Sequence, residues 1–131
     1  MCLIVKKETE KQIAVEDIIV YKRLLFEKCN GLINAEYYPF CYELNVLYTT
    51  EIKSSDNFQY FDDKSHYGIS TLGVDKLIPY GEGFHSAFKK NRLHKKYGTD
   101  IFQCTVPMGS EYYQDRSGLL VSNQIIINKI V

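Results

Sequence analysis

The stretch Ile18-Ile19-Val20-Tyr21-Lys22-Arg23-Leu24-Leu25-Phe26 decides the fold class. β-Branched and aromatic side chains dominate it, which suits a pleated surface, and it ends at the turn signal Cys29-Asn30-Gly31. It is therefore read as a strand. Working outward, Tyr42 to Thr50 sets Tyr42, Leu44, Val46 and Tyr48 against Glu43, Asn45, Leu47 and Thr49, close to period two. Tyr37-Tyr38-Pro39-Phe40 reads as extended or turn-like, because proline restricts its neighbour and has no N–H to donate. The C-terminal third reads as a meander: Ile101 to Val106, Glu111 to Gln114, Leu119 to Ser122 and Gln124 to Val131. Turns at Pro107-Met108-Gly109-Ser110 and Asp115-Arg116-Ser117-Gly118 separate the first three. Gln124 to Val131 is nearly continuous Ile and Val, which predicts a central strand buried on both faces.

One segment breaks the strand pattern. Tyr80-Gly81-Glu82-Gly83-Phe84-His85-Ser86-Ala87 places two glycines at a bend, with Ser86 as a helix N-cap. Ala87 to Tyr97 then reads as a helix stopped by Gly98. Its apolar stripe is thin: Ala87, Phe88, Leu93 and Tyr97. The expected fold is α+β, a mostly antiparallel and strongly twisted β-sheet, or sheets, with one short basic helix over about residues 86–97 packed on it. The chain reads as one domain over 1–131. A polar loop or lid at about residues 51–73 carries one short strand near Phe58 to Phe61.

Hydrophobic residues make up 45% of the 131 positions and charged residues 24%, enough to build one core without disulfide or metal staples. Lys and Arg number 16, as do Asp and Glu, so the net charge is zero. That balance argues against a binder of nucleic-acid polymers and tolerates self-association. Cys2, Cys29, Cys41 and Cys104 include no Cys-x-x-Cys pair and there are three histidines, so neither a metal nor a cofactor site is expected. The apolar run Cys2 to Val5 is cut short by Lys6-Lys7-Glu8, unlike a secretory leader, and no apolar run reaches the length of a membrane span. These features predict a cytoplasmic protein with reduced thiols and no membrane partner.

The candidate site lies at the glycine-framed junction. Backbone N–H groups at a helix start attract an anion, and His85 and Ser86 would add side-chain donors. Lys89, Lys90, Arg92, His94, Lys95 and Lys96 form a dense cationic run in a neutral chain, which reads either as an anion-steering surface or as a solvated helix face. Eleven tyrosines and no tryptophan suit sheet packing and recognition equally. Of the adjacent pair Tyr112 and Tyr113, strand alternation turns one inward and one outward, where it could stack on a ring. Cys2 after the initiator Met invites a nucleophile reading, against which a structural thiol is the simpler one. An enzyme could use His85 as acid or base with Glu111 or Glu82.

The segments MCLIV (1–5), IVYKRL (19–24), GFHSA (83–87) and CTVPMGSEYY (104–113) with LLVSNQIII (119–127) together resemble a family of small proteins of unassigned activity encoded by gut-type bacteria and their phages. The likeness covers most of the chain, least the polar middle. It implies a short intracellular protein often carried in mobile or viral DNA, and it brings no cofactor or catalytic residue. A second, narrower likeness rests on Val20-Tyr21-Lys22-Arg23, Gly83-Phe84-His85 and Pro107-x-Gly109-Ser110-x-Tyr112-Tyr113, which are similar to the small ADP-ribosyltransferase-like fold. It implies Arg23, His85 and Glu111 as residues of an enzyme acting on an NAD-like or nucleotide substrate.

The resulting expectation is a non-catalytic binding protein, homo-oligomeric, that captures a small anionic, nucleotide-derived ligand in the manner of phage proteins that sequester host immune nucleotides. Tyr80, Gly83, His85, Ser86, Lys89, Arg92 and Tyr113 are its expected ligand-binding residues. The alternatives are the enzyme just described and a protein-interaction module with a Tyr-rich face.

Overall fold

The computed structural model describes residues 3–6, 10–27, 29–35, 40–52, 55–61, 72–78, 83–94, 98–115 and 117–131, with the backbone alone for 3–6, 55–61 and 72–78. These residues form thirteen strands. They are β1 (Leu3–Lys6), β2 (Gln12–Ile13), β3 (Ile18–Glu27), β4 (Leu32–Ala35), β5 (Cys41–Tyr42), β6 (Leu47–Thr49), β7 (Ser55–Phe61), β8 (Leu72–Ile78), β9 (Phe84–Ala87), β10 (Thr99–Val106), β11 (Glu111–Gln114), β12 (Leu119–Ser122) and β13 (Gln124–Ile130). Every pairing is antiparallel. A small sheet has the order β1-β8-β7. The large one runs β2-β11-β12-β9-β3-β10-β13-β6, with β4 added to β3 and β5 to β4.

The large sheet curls back on itself. Asn123 alone joins β12 to β13, although β9, β3 and β10 lie between those strands in the sheet order. Accumulated strand twist brings the two regions together. The seam is then tied by Asn123 N to Glu111 O at 3.0 Å, Thr50 N to Asn123 O at 2.8 Å and Ser110 Oγ to Gln124 Oε1 at 3.1 Å. The concave face encloses the main core, which includes Val20 and Leu24 of β3, Phe102 of β10, Leu120 of β12 and Ile125 and Ile127 of β13. On the convex face Val121 and Tyr113 form a smaller cluster with Ile52 and Leu119, and β1 of the small sheet lies against β12.

The antiparallel β-rich reading holds, and its helix does not. The described part of residues 86–97 contains the last two residues of β9 and one 3-10 turn, Lys90–Arg92; residues 95–97 lie outside the described part. All four residues of β9 are buried between β12 and β3, so Ser86 is a strand residue and not an N-cap. Sheet pairing outweighed a helical signal whose apolar stripe was thin. The anion cradle expected at a helix start therefore has no helix to supply it.

Other expectations change in detail. Gln124 to Ile130 is not central but next to last before the β6 edge, and its burial alternates, so one face only meets the core. The strand expected over 42–50 is broken into β5 and β6 by a turn at Asn45, whose φ is +60°. The 51–73 region carries β7 and the start of β8, a larger strand content than the one short strand expected; residues 62–71 lie outside the described part, as do 36–39. Strands β11 and β12 do form the expected hairpin, closed by Asp115, whose Oδ1 accepts from Ser117 N and Leu119 N at 2.9 Å each. Among the described residues no helix is long and apolar enough to cross a membrane.

Candidate functional site

Strand β3 is where the site is built. On one side it pairs with β10 from Ile18 to Leu25. On the other it has two partners in succession: β9 through Tyr21 and Ala87, and β4 from Leu24 to Glu27. Lys22 and Arg23 fall in the fork between those partners. Alternation along β3 then sends Val20, Lys22 and Leu24 to the concave core and Tyr21, Arg23 and Leu25 to the convex face.

Lys22 is thus an ammonium-bearing side chain on the core face, 5% exposed. Burying a charge is costly unless strong acceptors meet it, and here its Nζ donates to the carbonyl oxygen of His85. The bond Phe88 N to Gly118 O at 2.9 Å fixes the phase of β9, so that the C=O of Ser86 faces β12 while that of His85 faces β3. Lys22 therefore occupies a carbonyl that the fork deprives of its strand partner. Beside it, the Ser86 side chain shares the concave face with Phe84 and Leu120, and its Oγ is buried with no hydrogen-bond partner.

Cys104 lies near the same ammonium. Burial pushes its thiol up to about 12 from 9.0, while the Lys22 charge and the Lys22 backbone N–H pull it down. Desolvation wins, so this thiol is inert in the fold. A thiol-reactive dye is expected to modify exposed Cys29 and Cys41 in the native protein and Cys104 only after unfolding. Rapid native labelling of Cys104, read by peptide mass mapping, would contradict the packing of β10 against β3. The fold keeps the thiol protonated after the unfolded chain has lost its proton. The group's stabilising contribution is therefore complete below pH 9.0 and disappears as the pH rises towards about 12. Over that window wild type should lose about 1.4 kcal/mol per pH unit more than Cys104→Val.

The convex face carries a different set. Arg23 is half-buried and its Nη1 donates to His94 O at 2.8 Å, which holds residues 89–94 over the convex side of β3. Lys89, Lys90 and Arg92 are exposed on that segment and, among the described residues, take no carboxylate partner. Tyr21 is half-buried on the same face, beside Ala87 where the segment departs.

The structure divides the residues singled out from the sequence. Ser86 faces the concave core. His85 and Tyr113 face the convex side and are both buried, Tyr113 against Val121, so its ring is not an exposed stacking surface. Tyr112, its neighbour, packs on the main core. Gly83 enters β9 at φ +89°, and Tyr80 lies outside the described residues, as do Cys2 and Glu82. Glu111 pairs with Lys11 at 2.8 Å, and β12 separates it from His85 by two strand spacings, roughly 10 Å. His85, Glu111 and Arg23 thus share the convex face, with Glu111 set apart from His85 by β12. No cluster of His, Cys, Asp and Glu suited to a metal is present among the described residues.

Sequence reading missed Lys22 and Tyr21. Their strand was recognised, but a lysine in a strand is read as pointing to water, and only the neighbours Val20 and Leu24 on the same face could have signalled otherwise. Set against known protein families, curated proteins and solved structures, the chain matches none of them.

Proposed function

We propose that the chain is a non-catalytic binding protein that captures a small anionic, nucleotide-derived ligand on the convex side of β3. One observation carries this reading: Lys89, Lys90 and Arg92 stand exposed without a carboxylate partner among the described residues, in a chain of zero net charge. Unopposed cations gathered on one short segment create a local positive potential that draws in an anion. Arg23 anchors that segment, and Tyr21 offers an aromatic face beside it. In this reading phosphate oxygens meet Lys89, Lys90 and Arg92, and a base ring lies on Tyr21. A homo-oligomer is part of the proposal, and native mass spectrometry reports the copy number together with any ligand retained intact.

Calorimetry with mono-, di- and cyclic nucleotides tests it. At least one is expected to bind wild type, and the double variant Lys89→Glu/Arg92→Glu is expected to weaken that binding by at least about tenfold, or 1.4 kcal/mol. Tyr21→Ala should weaken binding of a nucleotide more than that of inorganic phosphate. Absence of heat and of thermal shift across the whole panel would remove the reading. Turnover of a nucleotide lost in His85→Ala would replace it with an enzyme.

A further inference from the structure

We propose that the β2 edge of the large sheet docks on the cationic segment 89–92 of a second copy of this chain, head to tail. Val15, Met108 and Ile13 are 86%, 67% and 56% exposed, the most exposed large apolar side chains among the described residues. All three gather at this edge. Ile13 and Val15 flank the buried Ala14 along the chain, so both turn away from the core. Met108 is held beside them, because its N–H donates to Asp17 Oδ1 and the Gly109 N–H to Ala14 O, at 2.8 Å each. Apolar side chains clustered in this way on a surface mark a contact with another molecule.

The surrounding charges select that molecule. Glu10, Glu16 and Asp17 are exposed around the cluster and, among the described residues, form no ion pair, whereas Glu111 is neutralised by Lys11. A two-fold contact would set this acidic edge against itself, carboxylate towards carboxylate. Its complement is on the same chain: Lys89, Lys90 and Arg92 offer three exposed cations to three exposed carboxylates. Among the described residues the two sets form no ion pair within one chain, so a neighbouring copy brings them together. The stems of the lysines and the arginine then lie over Ile13, Val15 and Met108. Each docked pair still offers one free edge and one free segment, so the contact repeats into a ring or a row. This contact rests on the homo-oligomer proposed above and uses the same cations, so capture of a nucleotide releases the docked copy.

The experiment is sedimentation velocity of the full chain, from micromolar to millimolar, without nucleotide. Wild type is expected to show an average mass that climbs with concentration beyond a dimer and falls as salt is raised to about 1 M. Val15→Ser/Met108→Ser keeps every charge and changes only exposed positions, and is expected to weaken the association at least about tenfold. Glu10→Lys/Glu16→Lys reverses the edge and Lys89→Glu/Arg92→Glu the segment, so each is expected to stay monomeric alone. Mixed in equal amounts, these two are expected to associate again, because each supplies the complement of the other. Wild type that stays monomeric at every concentration would overturn the contact and the homo-oligomer with it, while nucleotide binding is still decided by calorimetry. Undiminished association in Val15→Ser/Met108→Ser, or a mixture that stays monomeric, would overturn the contact and leave the oligomer to another surface. Glu10→Lys/Glu16→Lys is expected to bind any nucleotide that wild type binds, which keeps failure of the contact distinct from failure of capture.

Discussion

Phe102→Ala is expected to cost about 3–5 kcal/mol of stability, the range for emptying a fully buried aromatic site. Among the described residues Phe102 is the largest side chain with no solvent exposure, and it lies on the concave face of β10. It is registered against Lys22 on one side and Ile130 on the other. Its ring meets that of Phe26 edge-on, with centroids 6.0 Å apart. The curled sheet limits how far its walls can collapse into the space left, because the seam at Asn123 ties β12 and β6 to their neighbours. A domain of this kind has about 5–15 kcal/mol in total, so the variant should be marginal at room temperature. Urea denaturation measures the loss as a shift in midpoint at unchanged slope. A loss under about 1 kcal/mol would mean that the core does not centre on β10. The variant also bears on Lys22, since a void beside the ammonium would admit water and relieve part of its desolvation.

What could be read in the sequence follows from what local pattern encodes. β3, β10, β12 and β13 were legible because β-branched and aromatic runs ended at recognisable turns, and the β11–β12 hairpin because Asp115 and Gly118 sit where a tight turn needs them. The order of those strands was not legible. The passage from β12 to β13 through Asn123 looks like an ordinary hairpin in sequence, yet in the structure it joins strands that three others separate. Only the accumulated twist of the whole sheet makes that possible.

The described part of the segment expected to be a helix over 86–97 was misread for a related reason. Its lysines and alanine favour helix locally, while the pairing of Phe84–Ala87 with β12 is a contact some 35 residues distant along the chain. The candidate site inherits both limits. Its cations were legible as residues, but their position over the convex face of β3 depends on Arg23 and on the strand order. The inward turn of Lys22 was hidden because a lysine is assigned to the surface until its strand neighbours are known to line a core.

Gly83→Ala is expected to destabilise by about 2–5 kcal/mol, combining a backbone cost with a steric one. At φ +89° an L-residue is strained whatever space surrounds it. An added Cβ would also stand 2.5 Å from Val121 Cγ1, 3.3 Å from Ile52 Cγ1 and 3.4 Å from Ser122 O. Val121 is fully buried and cannot move aside cheaply. Gly83 is thus needed for the close approach of the chain to β12 as it enters β9. The same approach sets the register that pairs His85 with Val121 and Ser86 with Leu120. Gly109 supplies the control, for it shares φ +89° and has nothing within 4 Å of its added Cβ. Gly109→Ala should show the backbone cost alone, about 1–2 kcal/mol. The difference between the two variants then isolates the contact with Val121, and adding Val121→Ala to Gly83→Ala should remove most of that difference. If both glycine variants lose the same stability, β9 does not pack as closely on β12 as described. The register that brings Ser86 to the concave face would then fall with it.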